Sequence, residues 1–123
     1  MNELPLVLFV EDDEDVRELT TYVLEDAGYA VHGVCHGREA VDAMENGLRP
    51  HAIILDLAMP VMTGWSFWDW MQVSPFASVP VVIFTSTRHE GPMGASRVLH
   101  KGRGAHELLD ALRALVTREP KTA

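Results

Sequence analysis

Four short apolar runs in this chain end on residues that can do chemistry. Leu4–Val10 runs into Glu11-Asp12-Asp13, Ala52–Leu55 into Asp56, Val79–Phe84 into Thr85-Ser86, and Arg97–His100 into Lys101. Carboxylates crowded together repel, and each disfavours ionisation of the others. A divalent cation resolves that conflict, and oxygen ligands with waters left over suit Mg²⁺. A carboxylate can also be a nucleophile towards phosphorus and form an aspartyl phosphate. A metal ion and an ammonium group would neutralise charge on the transferring phosphoryl oxygens, and a hydroxyl one strand away could hydrogen-bond the new group. Taken singly, each residue has a plain structural use. Asp13 suits a helix N-cap, Thr85 a turn, and Lys101 a solvated surface. The combination, in this order, is what carries weight.

The elements that must position these residues alternate along the chain. Leu4–Val10 lacks period-2 alternation and reads as a strand buried on both faces. From Glu14 to Ala27, Val16, Leu19, Val23 and Leu24 fall on one helical face, with Glu14 and Asp15 at the positive end and Gly28 as the stop. Ala30–Cys35 is a second strand. Gly37–Asn46 is a short helix with Ala40, Val41 and Met44 inward. Ala52–Leu55 is a third strand, Gly64–Val73 a third helix, Val79–Phe84 a fourth strand and Arg97–His100 a fifth. A last helix starts near Ala105, with Leu108, Leu109, Leu112, Leu115 and Val116 on one face. Strands alternating with helices imply right-handed crossovers and a parallel sheet covered on both faces. In such sheets ligands bind beyond the carboxyl ends of the strands, which is where the candidate residues lie.

Composition narrows the function classes. The 123 residues suit one domain and one core, and 23% charged residues beside 47% hydrophobic ones fit a globular chain. No apolar run approaches the roughly 20 residues of a membrane span, and no secretory signal opens the chain, so a cytoplasmic location is expected. A net charge of −8 argues against nucleic acid as a partner. Cys35 is the single cysteine and reads as a small strand residue. The histidines at 32, 36, 51, 89, 100 and 106 show no metal-binding spacing and read as surface or turn residues.

Together the segments Val7–Asp13 with Arg17, Ile53–Pro60 followed by Met62-Thr63-Gly64, Val82–Ser86, and Lys101 resemble the receiver domain of two-component response regulators. The resemblance spans nearly the whole chain, and the Asp-x-x-Met-Pro-x-x-x-Gly segment is its most specific part. It implies a flavodoxin-like α/β fold, a doubly wound five-stranded parallel sheet in the order 2-1-3-4-5. It implies Asp56 as phospho-acceptor, with Mg²⁺ held by Asp12 directly, Glu11 through water, Asp56, and the backbone carbonyl of Ala58. Thr85 would be the hydroxyl that moves towards the phosphoryl group and Lys101 the ammonium that contacts it. The donor would be a phosphohistidine on a sensor histidine kinase or a histidine phosphotransfer protein. The chain would then be a signalling module rather than an enzyme, catalysing at most its own phosphorylation and dephosphorylation. The chain ends soon after its last helix, so a single domain over residues 1–123 without an output domain is expected, signalling by contact with another protein.

Several positions depart from that family's pattern. Gly102 follows Lys101 where proline and a cis bond are usual, so a trans bond is expected. Residues 87–96 contain Gly91, Pro92 and Gly94, so the fourth helix is expected to be shortened or replaced by a loop. Val98 stands where an aromatic residue is common. In the third helix Phe67 and Trp68 are expected in the core. Trp70 is expected to be exposed, as a contact for a partner or for a second copy in a homodimer. These departures favour an alternative, a phosphorylation-independent interaction module on the same fold. The intact Glu11, Asp12, Asp56, Thr85 and Lys101 oppose it. A hydrolase acting on external phosphate esters is weaker still, because Ala58 offers no second catalytic side chain.

Overall fold

The computed structural model describes residues 4–59, 61–86, 94–101 and 105–116. Strands β1 (Leu6–Val10), β2 (Ala30–Val34), β3 (Ala52–Leu55), β4 (Val81–Thr85) and β5 (Arg97–His100) form one parallel sheet in the order β2-β1-β3-β4-β5. Helices α1 (Glu14–Asp26), α2 (Gly37–Glu45), α3 (Gly64–Gln72) and α4 (His106–Val116) cover both faces. Strand order reverses between β1 and β3, so the chain's switch point lies where Val10 and Leu55 sit side by side.

Alternating strand residues feed two cores. Leu8, Val10, Ile53, Leu55, Val81 and Ile83 face α2 and α3, where they meet Ala40, Val41, Met44, Phe67, Trp68 and Met71. Val7, Phe9, Ile54, Val82 and Phe84 face the other way, towards Leu24 of α1 and Leu108, Leu112 and Val116 of α4. Burial on both sides explains why β1, β3 and β4 read as unbroken apolar runs. The edge strands β2 and β5 are more exposed, as half-covered strands must be.

Some expectations shift. Strand β4 begins at Val81 rather than Val79, and β2 stops at Val34, leaving Cys35 exposed beyond it. Helix α3 ends at Gln72, one residue before the expected end. Leu19, expected on the inner face of α1, is 71% exposed, because Thr20 and Leu24, four apart, take that face. Phe67 and Trp68 are buried as expected. Trp70 is half-buried rather than exposed, because its ring stacks at 5.9 Å on Phe67 and at 6.0 Å on Phe76. Two histidines have structural work: His36 Nδ1 caps α2 by accepting from Glu39 N, and His51 Nδ1 accepts from Leu6 N. The segment expected to lose a helix falls mainly on residues 87–93, which lie outside the described residues, as do Gly102 and His89. Among the described residues no helix is long and apolar enough to cross a membrane.

Candidate functional site

The three acids after β1 divide their tasks. Glu11 still belongs to the sheet edge: its N–H donates to Val34 O, and its side chain turns in and is fully buried. Asp13 turns back, and its Oδ1 caps α1 by accepting from Val16 N at 3.1 Å. Asp12 is left between them, exposed at the rim. Arg17 fixes this corner by donating from Nη1 to Glu11 O at 2.7 Å. Its stem passes over Gly33, where an added Cβ would stand 3.2 Å from Arg17 Cδ.

Asp56 leaves β3 with its N–H on Val10 O, and only 4% of the residue is exposed. Its Oδ1 receives a long hydrogen bond from Ala58 N at 3.4 Å, and its Oδ2 one from Lys101 Nζ at 3.1 Å. Ala58 itself lies at the exposed rim. The returning chain must pass very close to Asp56, since a Cβ on Gly64 would lie 2.2 Å from Asp56 O. Thr85 is the last residue of β4 and fully buried, and its carbonyl accepts from Lys101 N at 2.9 Å. That bond sets Lys101 beside the end of β4 and aims its ammonium back across the sheet. Nζ lies 2.5 Å from Glu11 Oε1 as well as 3.1 Å from Asp56 Oδ2.

Burial pushes the Glu11 carboxyl above the usual carboxylate range, against the pull of Lys101 and of the hydrogen bond from Asp13 N. For Lys101 burial works against the charged form. The close approach of the Glu11 carboxylate and the charge of Asp56 outweigh it, so its pKa rises. Glu11 Oε1 is buried without an aligned hydrogen-bond donor: the ammonium meets it as a charge at close range, outside hydrogen-bond geometry.

The donor set fits a hard divalent cation. Glu11, Asp12 and Asp56 each bring one carboxylate oxygen to within 4.8 Å of the others, the spread that one ion with oxygen ligands can draw together. The structure thus brings Glu11, Asp12, Asp56 and Lys101 into one cluster, with Thr85 at the same sheet edge. Arg17 and Gly64 also build it, and residue chemistry alone assigned them no task. Both stand in the segments that carry the receiver resemblance, Arg17 after Val7–Asp13 and Gly64 after Met62-Thr63.

Residues 7–113 match the family model described as the response regulator receiver domain. The chain belongs to that family. It is 31% identical over 122 residues to the transcriptional regulatory protein GltR of Pseudomonas aeruginosa, covering 91% of this chain and 49% of that protein. It is 35% identical over 118 residues to the response regulator MprA of Mycolicibacterium vanbaalenii, covering 91% and 50%. This receiver chain therefore spans about half the length of such curated relatives. Among solved structures, the chemotaxis protein CheY4 of Vibrio cholerae is 30% identical with a TM-score of 0.81, covering 92% of this chain and 99% of that one. The signal receiver domain of a histidine kinase from Syntrophus aciditrophicus is 28% identical with a TM-score of 0.86, covering 97% and 95%. The five-stranded order and the position of the acidic corner are those expected of a receiver domain.

Proposed function

We propose that this receiver domain accepts a phosphoryl group from a phosphohistidine onto Asp56, with Mg²⁺, and signals through protein contacts. The observation that carries this reading is the meeting of Glu11, Asp12 and Asp56 within 4.8 Å, with the Lys101 ammonium on both Glu11 and Asp56. A carboxylate oxygen of Asp56 attacks phosphorus. The new O–P bond forms as the P–N bond to the donor imidazole breaks, and the imidazole leaves with that electron pair. Lys101 offers N–H groups to the phosphoryl oxygens, and the Thr85 hydroxyl donates to the product. Glu11, Asp12, Asp56 and the Ala58 carbonyl would hold Mg²⁺. Bound there, the ion would supply positive charge beside the phosphoryl oxygens.

The product carries about −1.5 to −2 extra charge, which pulls on Thr85 and Lys101. The donor would be a sensor histidine kinase or a histidine phosphotransfer protein in the cytoplasm, and the output a contact with a separate protein. Incubation with Mg²⁺ and acetyl phosphate tests this by intact mass. One added phosphoryl group is expected, and it is lost in Asp56→Asn. No adduct, or an adduct that persists in that variant, overturns the reading. A second reading, a receiver-like interaction module independent of phosphorylation, is favoured by Val98. That residue packs against the core as a half-buried valine and offers no ring to report the state of Thr85.

A further inference from the structure

Strand β2 is an edge strand, and its hydrogen bonds show which groups it leaves free. Ala30 N donates to Pro5 O and Glu11 N donates to Val34 O. With the unbroken register from Leu6↔Ala30 to Val10↔Val34, these bonds turn Ala30, His32 and Val34 towards β1. The main-chain groups of Val31 and Gly33 therefore point outward. Cys35 points outward too, and its N–H is already taken by Glu39 Oε1 at 2.7 Å. Val31 and Gly33 have no such partner among the described residues. Edge strands are usually blunted by lysine, proline or a bulge, and β2 has none of these.

Beside this edge runs a groove of about 430 Å³. Gly33 and the stem of Arg17 form its floor, and Glu18, Thr21, Tyr22 and Glu25 of α1 form its wall. Arg17 spends a guanidinium N–H on Glu11 O at the inner end. It is the only basic residue in a helix that also carries Glu14, Asp15, Glu18, Glu25 and Asp26. Tyr22, 73% exposed, stands between the two groove carboxylates. A strand added to this edge would send every second side chain towards that wall. A long aliphatic side chain ending in a cation fits both the ring and the carboxylates.

We propose that the outer edge of β2, walled by α1, receives an extended segment of a partner protein by strand addition, with lysine or arginine at alternate positions facing Glu18 and Glu25. A second copy of this chain is the wrong occupant. It would bring the same carboxylates and a net charge of −8 against their like. The surface does not depend on Asp56, so its test is independent of the phosphorylation reading.

The probe is a short, blocked, fluorescent peptide of alternating lysine and valine, titrated against the full chain. Binding read by polarisation is expected, together with slower amide exchange at Val31 and Gly33. The same peptide with glutamate in place of lysine should not bind. Reversing the wall charges (Glu18→Lys with Glu25→Lys) should weaken binding by about tenfold or more. Val31→Pro removes an outward N–H without removing a bond to β1, so it should abolish binding while the far-ultraviolet circular dichroism stays unchanged. If that variant misfolds, the surface charge reversal decides alone. Absence of binding, binding that survives the charge reversal, or protection at β5 in place of β2 overturns the proposal. So does protection of Val31 and Gly33 by self-association without peptide.

Discussion

Val61 holds φ at 67°, a left-handed conformation that costs a β-branched residue most. Its side chain is 79% exposed, so packing returns little for that strain. Glycine would remove a penalty of about 1–2 kcal/mol and add back roughly 0.5–1 kcal/mol of unfolded-state entropy. Val61→Gly should therefore stabilise the domain by about 0.5–1 kcal/mol, read as a higher urea midpoint with an unchanged slope. Glu11 yields a prediction of the opposite kind. Burial raises its folded pKa above 4.5, so the folded state holds this proton more tightly than the unfolded chain. Its contribution is thus fully present below the unfolded pKa and is lost as pH rises through the folded one. In metal-free buffer the stability of the wild type relative to Glu11→Gln should fall as pH climbs from about 4.5 towards neutrality. Lys101 adds no slope in that window, because its own raised pKa lies above 10.5. A flat or rising difference would show that the buried acid is not disfavoured as its surroundings demand.

Among the elements, the turn from β3 into α3 does the most to place Asp56. Gly64 N donates to Leu57 O at 3.0 Å, and the helix then starts under the cap of Thr63, whose hydroxyl accepts from Ser66 N. A methyl group on Gly64 would press on Asp56 O and on Leu57 Cα, both backbone atoms that cannot rotate away. Gly64→Ala should cost about 1–3 kcal/mol by chemical denaturation and, under the proposed function, slow phosphoryl uptake at Asp56. This is also the scale at which the sequence was most and least legible. Apolar runs and polar strand ends are local signals, so all five strands and the convergence on Asp56 could be read from the residues in order. On the inner face of α1, Leu24 could be read but Leu19 misled, because a buried Thr20 takes its place and periodicity favours leucine inside. Trp70 failed for a related reason: Phe76, from beyond the helix, supplies the ring that covers it. Lys101 could be placed at the right sheet edge, but its reach to Glu11 depends on the β4–β5 pairing through Thr85 O. No local pattern encodes that pairing.

Across the whole molecule, the site's two charges rest on unequal foundations. The carboxylates of Glu11 and Asp56 follow β1 and β3, which are buried on both faces and flanked by strands on both edges. The opposing ammonium follows β5, an edge strand with no fully buried residue, joined to the sheet only through β4. Local opening is cheapest where few apolar contacts and one line of hydrogen bonds hold a segment. Lys101 should therefore leave Asp56 and Glu11 far more often than the acids leave each other. A cationic ligand entering the acidic corner would find one mobile charge to displace and fixed oxygens to bind. Native-state hydrogen exchange measures this directly. Amides of β1, β3 and β4 should exchange at the rate of global unfolding, and those of β5 and Lys101 appreciably faster. Equal protection of β5 and β3 would mean that the ammonium is held as firmly as the carboxylates, and the asymmetry would have no bearing on how the corner accepts a ligand.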